Sequence, residues 1–339
     1  MIKYTGKKGD RNMSVKEALL KTLAENKDSY SSGAALAGKL GVSRNAVWKA
    51  VKSLEADGYS IESVTSKGYR LSADNNRLSE KFISAKLTAK SLGKSIKVYD
   101  EIDSTNSAAK EMGTAGAAHG TVIIAEKQTM GRGRLGRTFV SPSGTGLYMS
   151  IIIRPEINLE DAGFITSTAA VAVAEAVEKL IDREVQIKWV NDLYMNERKI
   201  CGILTEASLG LEMKSLDMAV IGIGINVRSV KDVMPEELSS IATSIEDETG
   251  IAVDRNELCA EVLNRLEYWL DKIESHEFLF EYRRREYLTG KLITANVGGE
   301  TLVGNALGID NNANLMIELP DGEIRHLGSG EASLCRVKK

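Results

Sequence analysis

The stretch Gly131-Arg132-Gly133-Arg134-Leu135-Gly136-Arg137 places the tightest constraint on what this chain can fold into. Its three glycines allow positive φ and close approach of the main chain, so backbone N–H groups can converge on an anion. Three arginines in the same seven residues add permanently charged, planar forks that match carboxylate or phosphate. The stretch spells G-x-G-x-x-G, yet a dinucleotide fold needs a helix straight after the glycines. Here the chain runs through Thr138-Phe139-Val140-Ser141-Pro142 into 147–153, a strand-like apolar segment stopped by Pro155. No Gly-Lys-Ser/Thr closes a Walker loop either. What remains is a loop between strands where an acid and a nucleotide phosphate can meet.

Charge is spread unevenly over the 339 residues, a length that suggests two or three domains. Residues 1–75 hold 13 Lys+Arg against 8 Asp+Glu, whereas the remainder holds 31 against 39. A basic front end on an acidic body points to a polyanion partner for the front end alone. Cys201, Cys259 and Cys335 are scattered and odd in number, which fits a reducing cytosol. His119, His276 and His326 stand alone and read as structural or surface positions, not metal ligands. No apolar run is long enough to span a bilayer and no signal-peptide core opens the chain, so a cytoplasmic protein with no membrane partner is expected.

From the front, residues 1–13 read as polar and loose. Ser14-Val15-Lys16-Glu17 is a capping box for a helix to about residue 25. Ser31 or Ser32 can cap a second helix over Gly33–Leu40, ended by Gly41. Ser43 can cap a third, in which Val47, Ala50, Val51 and Leu54 recur at helical spacing and face inward. Arg44, Asn45, Lys49 and Lys52 then face out, as on a recognition helix. Two short strands, 59–64 and 68–71, flank Thr65-Ser66-Lys67 as a basic wing carrying Lys67. The pattern resembles a winged helix-turn-helix; a three-helix dimerisation or protein-binding module is the alternative. DNA is favoured because the outward positions carry the donors that base edges and phosphates require, with Ser43, Arg44, Asn45, Lys49, Lys52 and Lys67 as contacts. Trp48 is ambiguous, and half-buried packing is favoured over a base contact. A module this small is expected to bind as a dimer on two half-sites.

A polar linker, 72–77, leads to the body. There 78–92 reads as a helix, 96–100 as a strand, and Asp103-Ser104-Thr105-Asn106 as the cap of a helix over 107–112. Those hydroxyl and amide groups can also bond an uncharged polar ligand. Thr121–Ala125 is a buried strand delivering Gln128 and the arginine loop; 159–181 is a single buried helix. Strand 185–190 carries Lys188 into Trp189-Val190-Asn191-Asp192, a hairpin follows at 194–198, and Lys199 opens the return strand. Strand 217–227 holds Gly222-Ile223-Gly224-Ile225-Asn226, whose glycines permit close approach. Two lysines near an Asn-Asp pair imply an anionic partner. The tail reads as one or two helices over 254–285 and then four short strands, 292–297, 301–309, 315–319 and 324–327.

Ser-Thr-Asn, Gln-x-x-Gly-Arg-Gly-Arg-x-Gly-Arg, Lys-Trp-x-Asn-Asp, Lys-x-x-Gly-Ile-Leu-x-Glu and Gly-x-Gly-Ile-Asn stand in the order and spacing of biotin protein ligases. With its front domain, residues 14–339 resemble the bifunctional ligases that also repress biotin genes. The resemblance implies an α+β multidomain chain with three parts. These are a winged helix-turn-helix over 1–75, an α/β catalytic domain over 76–286 of the class II aminoacyl-tRNA synthetase and lipoate ligase type, and an SH3-like barrel over 287–339. It implies biotin and ATP as substrates with Mg2+, and biotinyl-5′-AMP as intermediate and corepressor. The implied partners are the biotin carboxyl carrier protein of acetyl-CoA carboxylase, operator DNA, and a second copy in a homodimer formed through the central sheet.

By the same resemblance Ser104, Thr105, Asn106 and Gln128, with Gly131, Arg132, Gly133 and Arg134, would line the biotin pocket. Lys199 would meet the biotin carboxylate. Arg134, Arg137 and Lys188 would neutralise ATP phosphates, with Lys199, Arg134 and Lys188 carrying the chemistry. Asn191 and Asp192 would lie near the magnesium, Asp192 as its ligand, and Asn226 would read adenine. Phe139 stands where the family often has tryptophan, the ring expected on adenine, and Val190 where it usually has proline. Arg325 and Glu331 of the tail are candidate contributors. The alternatives are a lipoate ligase, against which the Gly-Arg-Gly-Arg loop and front domain argue, and a biotin sensor that represses without ligating.

Overall fold

The computed structural model describes residues 13–26, 29–56, 59–72, 77–209 and 216–335, which fall into two compact units, 1–82 and 83–339. Residues 1–12 of the expected loose start, the linker residues 73–76 with the 75/76 boundary, and the Gly58 expected to follow the third helix lie outside the described residues.

The first unit begins with α1 (Val15–Glu25), opened by the full Ser14/Glu17 capping box. Ser32 caps α2 (Gly33–Leu40), and Gly41 ends it at φ 64°, where a side chain would be strained. The turn Gly41–Val42 leads to α3 (Arg44–Ala56), whose Ala46 N–H donates to Ser43 Oγ. Val47, Ala50, Val51 and Leu54 are buried against Leu19, Leu23, Leu36, Leu40 and Leu71. That common apolar seam holds the helices together. The hairpin β1 (Ile61–Val64) and β2 (Gly68–Leu71) is the wing, with Ile61 opposite Leu71 and Val64 opposite Gly68. Helix α4 (Glu80–Ser84) supplies Phe82 to this core.

The second unit is built on a seven-stranded mixed sheet of order β3-β4-β5-β9-β8-β7-β6. Its strands are β3 (Ser95–Tyr99), β4 (Thr121–Ala125), β5 (Gly146–Ile153), β6 (Gln186–Lys188), β7 (Asp192–Met195), β8 (Arg198–Leu209) and β9 (Leu216–Asn226). Only β3 and β4 run parallel; the other neighbours are antiparallel. Helix α5 (Thr105–Thr114) follows β3; α6 (Leu159–Ala162) and α7 (Ile165–Ile181) follow β5. After β9 come α8 (Glu236–Ser239), α9 (Ile245–Thr249), α10 (Arg255–Leu270) and α11 (Phe278–Arg284). Every residue of β4 and β5 is buried, as a strand covered on both faces must be.

Two expectations for this unit are corrected. The helix expected over 78–92 stops at Ser84. Asn264 Oδ1 accepts from the N–H groups of Thr88 and Ala89, and the Glu267 carboxylate from those of Lys90, Ser91 and Leu92. Both acceptors come from α10, so the backbone donors a helix would need are taken from outside it. The single helix expected over 159–181 is broken at Gly163, the C-cap of α6. Phe164 then anchors against His276 and Phe278, with ring centroids 4.6 and 5.4 Å away.

The chain ends in a five-stranded antiparallel sheet of order β13-β12-β11-β10-β14. These are β10 (Leu292–Val297), β11 (Glu300–Ile309), β12 (Leu315–Glu318), β13 (Ile324–Leu327) and β14 (Glu331–Leu334); the last was not anticipated. Trp189 Nε1–H donates to the Ala313 carbonyl (3.2 Å), tying this sheet to the β6–β7 end of the seven-stranded sheet. Among the described residues no helix is long and apolar enough to cross a membrane.

Candidate active-site cleft

Strand register builds the floor of the cleft. Ser150 lies beside Gly222 and Gly222 beside Leu204; one row along, Tyr148, Gly224 and Gly202 are neighbours. Bare glycines let two side chains lie flat on the sheet. A Cβ at Gly222 would fall 2.0 Å from Asn106 Oδ1, and one at Gly224 would fall 2.6 Å from the Phe139 ring. The glycines are therefore spaces required by Asn106 and Phe139. Tyr148, packed edge-on to Phe139 at 6.3 Å, donates to the Pro142 carbonyl; burial pushes its phenol up to about 12.

One wall is the start of α5. Ser104 caps the helix, and the Thr105 N–H donates to Gln128 Oε1 (2.8 Å). Gln128 Nε2 donates to Ser141 Oγ (2.8 Å), which donates to the Phe139 carbonyl. The opposite wall is the arginine loop. It folds back on itself through Phe139 N–H to Gly131 O (2.8 Å) and Gly133 N–H to Arg137 O (2.7 Å). A Cβ at Gly131 would meet the Phe139 carbonyl at 2.3 Å, so this glycine permits the fold-back. Arg134–Gly136 make one short 3-10 turn with Leu135 at φ 54°, and no longer helix follows.

The charged end sits on the β6–β7–β8 hairpins. Lys199 Nζ lies 2.7 Å from Asp192 Oδ1, a charge contact without hydrogen-bond alignment. Arg134 donates to Asn191 Oδ1 (2.9 Å), while Asn191 Nδ2 donates to the Ile203 carbonyl (2.8 Å). Lys188 is opposite Asp192 in register and its ammonium lies 5.4 Å from the Tyr194 ring centre. Burial lowers the Lys188 pKa, partly opposed by Asp192. Arg137 reaches the tail sheet and grips the Glu331 carboxylate with both guanidinium nitrogens. The Trp189–Val190 peptide is cis.

A cleft of about 450 Å³ results. It brings together Ser104, Thr105, Asn106, Gln128, Arg132, Gly133, Arg134, Phe139, Asn191 and Lys199 of the anticipated residues. Gly131, Arg137, Lys188 and Asp192 are not in the lining, although Asp192 touches Lys199 and Arg137 reaches Glu331. Asn226 is buried, its amide donating to the Thr243 carbonyl (2.9 Å), and is not in the lining. Met149 and Leu204 line the cleft without having been anticipated; apolar residues in buried strands carry no sign of a ligand. The Ser150 and Glu206 contacts were missed too, although Glu206 is part of a recognised motif. Of the tail candidates, Glu331 reaches the loop, whereas Arg325 pairs with Glu300 and Glu323.

On the first unit, Ser43, Arg44, Asn45, Lys49, Lys52 and Lys67 are exposed or half-exposed. Trp48, read as packing, is 49% exposed in the middle of that outward helical face.

Fold and cleft define a class: a mixed-sheet ligase body whose basic, glycine-floored site suits an acid and a nucleotide, preceded by a helix-turn-helix unit. Residues 98–226 match the biotin/lipoate A/B protein ligase family, 15–70 an HTH domain and 289–335 the biotin protein ligase C-terminal domain. The chain is similar to the bifunctional ligase/repressor BirA of Bacillus spizizenii, 34% identical over 337 residues, 94% of this chain and 98% of that protein. It is also similar to the BirA of Escherichia coli K12, 32% identical over 313 residues, 91% of this chain and 94% of that one. Its fold aligns with biotin protein ligase from Aquifex aeolicus in complex with biotin and ATP, at TM-score 0.61 and 31% identity, over 72% of this chain and 99% of that chain. The chain belongs to the biotin protein ligase family, in its bifunctional ligase/repressor branch.

Proposed function

We propose that the chain activates biotin with ATP and transfers it to a lysine of the biotin carboxyl carrier protein of acetyl-CoA carboxylase, and that biotinyl-5′-AMP makes it a repressor of biotin genes. The observation that carries this reading is the single cleft in which an uncharged polar wall, Ser104–Gln128, faces a cationic end at Lys199 and Arg134. A neutral ring with an acid tail fits that polarity.

In this reading Ser104, Thr105, Asn106 and Gln128, with the backbone of Gly131–Arg134, hold the ring, and Lys199 holds the carboxylate. Its oxygen attacks the α-phosphorus of ATP, the mixed anhydride forms and pyrophosphate leaves. Two anions must meet, so the work is charge neutralisation and positioning by Arg134, Arg137 and Lys188. An acceptor lysine, as free amine, then attacks the carbonyl and AMP leaves. Phe139 stacks on adenine; Asn226 reads it only if its amide turns from the Thr243 carbonyl. Asp192 and Asn191 supply oxygen donors of the kind magnesium shares with phosphates, and Asp192 Oδ1 is buried without an aligned donor. A bound magnesium would supply further positive charge at the phosphates.

We further assign 1–75 to DNA binding, 76–286 to catalysis and 287–339 to an SH3-like domain, supported by the three separately matched segments. A homodimer is proposed because one winged module offers too little surface for a strong operator. A reducing cytosol is its proposed setting, in keeping with three free cysteines. The test is transfer of labelled biotin to a purified carrier domain with magnesium-ATP. Lys199→Ala is expected to cut kcat/KM by about 10²–10³, as for loss of one charge-stabilising donor. No transfer by the unaltered protein would overturn the ligase reading.

A further inference from the structure

One carboxylate beside the cleft has no part in the chemistry above. Glu206 lies on β8, two residues beyond Leu204 and on the same face, with a side chain only 20% exposed. Its Oε2 accepts from Asn106 Nδ2 (3.2 Å), and its oxygens stand 3.4 Å from Arg132 and 3.7 Å from Lys110. We propose that Glu206 is a positioning residue: it fixes which way the hydrogen bonds of the Ser104–Gln128 wall run, and so which ring the cleft accepts. This rests on the biotin reading of that wall.

An ionised carboxylate only accepts. The Leu204 carbonyl, 3.4 Å from Asn106 Nδ2, also only accepts. The Asn106 NH2 must therefore face these two groups, and Oδ1 faces the other way, toward Ser150 Oγ at 2.6 Å. Ser150 has a single proton, fully buried, and its nearest acceptor is that Oδ1, which has none to give. Ser150 Oγ also has Thr105 Oγ1 within donating distance (2.8 Å), and its one proton serves the two acceptors Asn106 Oδ1 and Thr105 Oγ1. The Thr105 proton turns into the wall, toward Gln128 Oε1 at 3.1 Å. Gln128 Oε1 is fixed as an acceptor in turn by the Thr105 N–H.

The consequence reaches the cleft. With its proton committed inward, Thr105 offers the ligand an acceptor, which a cyclic urea satisfies with an N–H and a dithiolane ring cannot. A site built to bond an N–H rejects an analogue lacking it, because the buried acceptor is left unpaired. The same carboxylate lies 3.4 Å from Arg132, whereas Arg134 and Arg137 are held elsewhere, by Asn191 and Glu331.

Glu206→Gln keeps the shape but adds a donor, leaving the longer Leu204 contact (3.4 Å) as the one obligate acceptor that holds the Asn106 amide in this sense. The experiment is calorimetry of biotin and of lipoate, with KM for ATP and thermal stability measured alongside. The expected result is a tenfold weaker biotin Kd, a smaller biotin-to-lipoate preference and an ATP KM changed less than twofold. Asn106→Ala should add less in the Glu206→Gln background than alone, since the two residues act as one chain. An unchanged preference, equal losses for biotin and ATP, or additive effects would each overturn the proposal. If the unaltered protein binds no biotin, the reading of the site fails first, and visibly so.

Discussion

At the scale of single residues, the cleft is governed as much by absent side chains as by present ones. Gly222→Ala places a methyl 2.0 Å from Asn106 Oδ1, which has Ser150 behind it and nowhere to retreat. Overpacking of this kind costs about 1–3 kcal/mol, and here the strain falls on a binding group. The expected outcome is biotin affinity reduced at least tenfold, with a modest drop in Tm; calorimetry beside a melting curve checks it. The chemically loud residues, Lys199, Arg134 and Gln128, were legible from sequence because charge and amide groups at motif spacing have few other uses. Ser150 was not, since one hydroxyl in a run of Met, Ile and Tyr looks like ordinary strand.

Elements show where local propensity yields to tertiary contact. The segment 85–92 has the composition of a helix, yet its N–H groups are collected by Asn264 and Glu267 of α10. Those acceptors lie far away in sequence, so no local pattern could reveal them. The hairpins and the wing were legible because their turns are short and their apolar residues alternate. For Glu267, partial burial raises the carboxyl pKa, but the hydrogen bonds from Ser91 and the three backbone N–H groups outweigh it and hold it at about 2. A lowered folded-state value means stability that is complete above the ordinary carboxylate range and is lost as pH falls from 4.5 toward 2. After solvent screening about 1–2 kcal/mol is at stake. Glu267→Gln should flatten the acid limb of a stability–pH curve by that amount and leave neutral transfer activity intact. On α3 the exposed Trp48 contributes little to the core. Trp48→Ala should leave Tm within about 3 °C and weaken operator binding about tenfold, as loss of an apolar base contact would. A gel shift reads the second effect and calorimetric melting the first.

For the whole molecule, one small ligand is read by two activities. If biotinyl-5′-AMP both feeds transfer and favours the DNA-binding form, biotin with ATP should tighten promoter binding and excess carrier domain should loosen it. The linkage is reciprocal, so operator DNA must tighten equilibrium binding of the adenylate by the same factor. Fluorescence anisotropy on promoter DNA, titrated first with biotin and ATP and then with carrier, measures both directions; flat titrations would dissociate the two roles.

The cleft also arrives with its own counter-ions. Lys199 rests against Asp192, Arg132 against Glu206 and Arg137 against Glu331. In the proposed reading, an incoming carboxylate or phosphate at Lys199 or Arg137 would not meet a bare cation; it would exchange with an anion the protein already supplies. Binding becomes a swap of partners inside one pocket, and its dependence on ionic strength should be shallower than a tally of the cations would suggest. If Arg137 takes a phosphate as proposed, Glu331 would give up its contact with Arg137, and the tail sheet would lose that hold on the arginine loop.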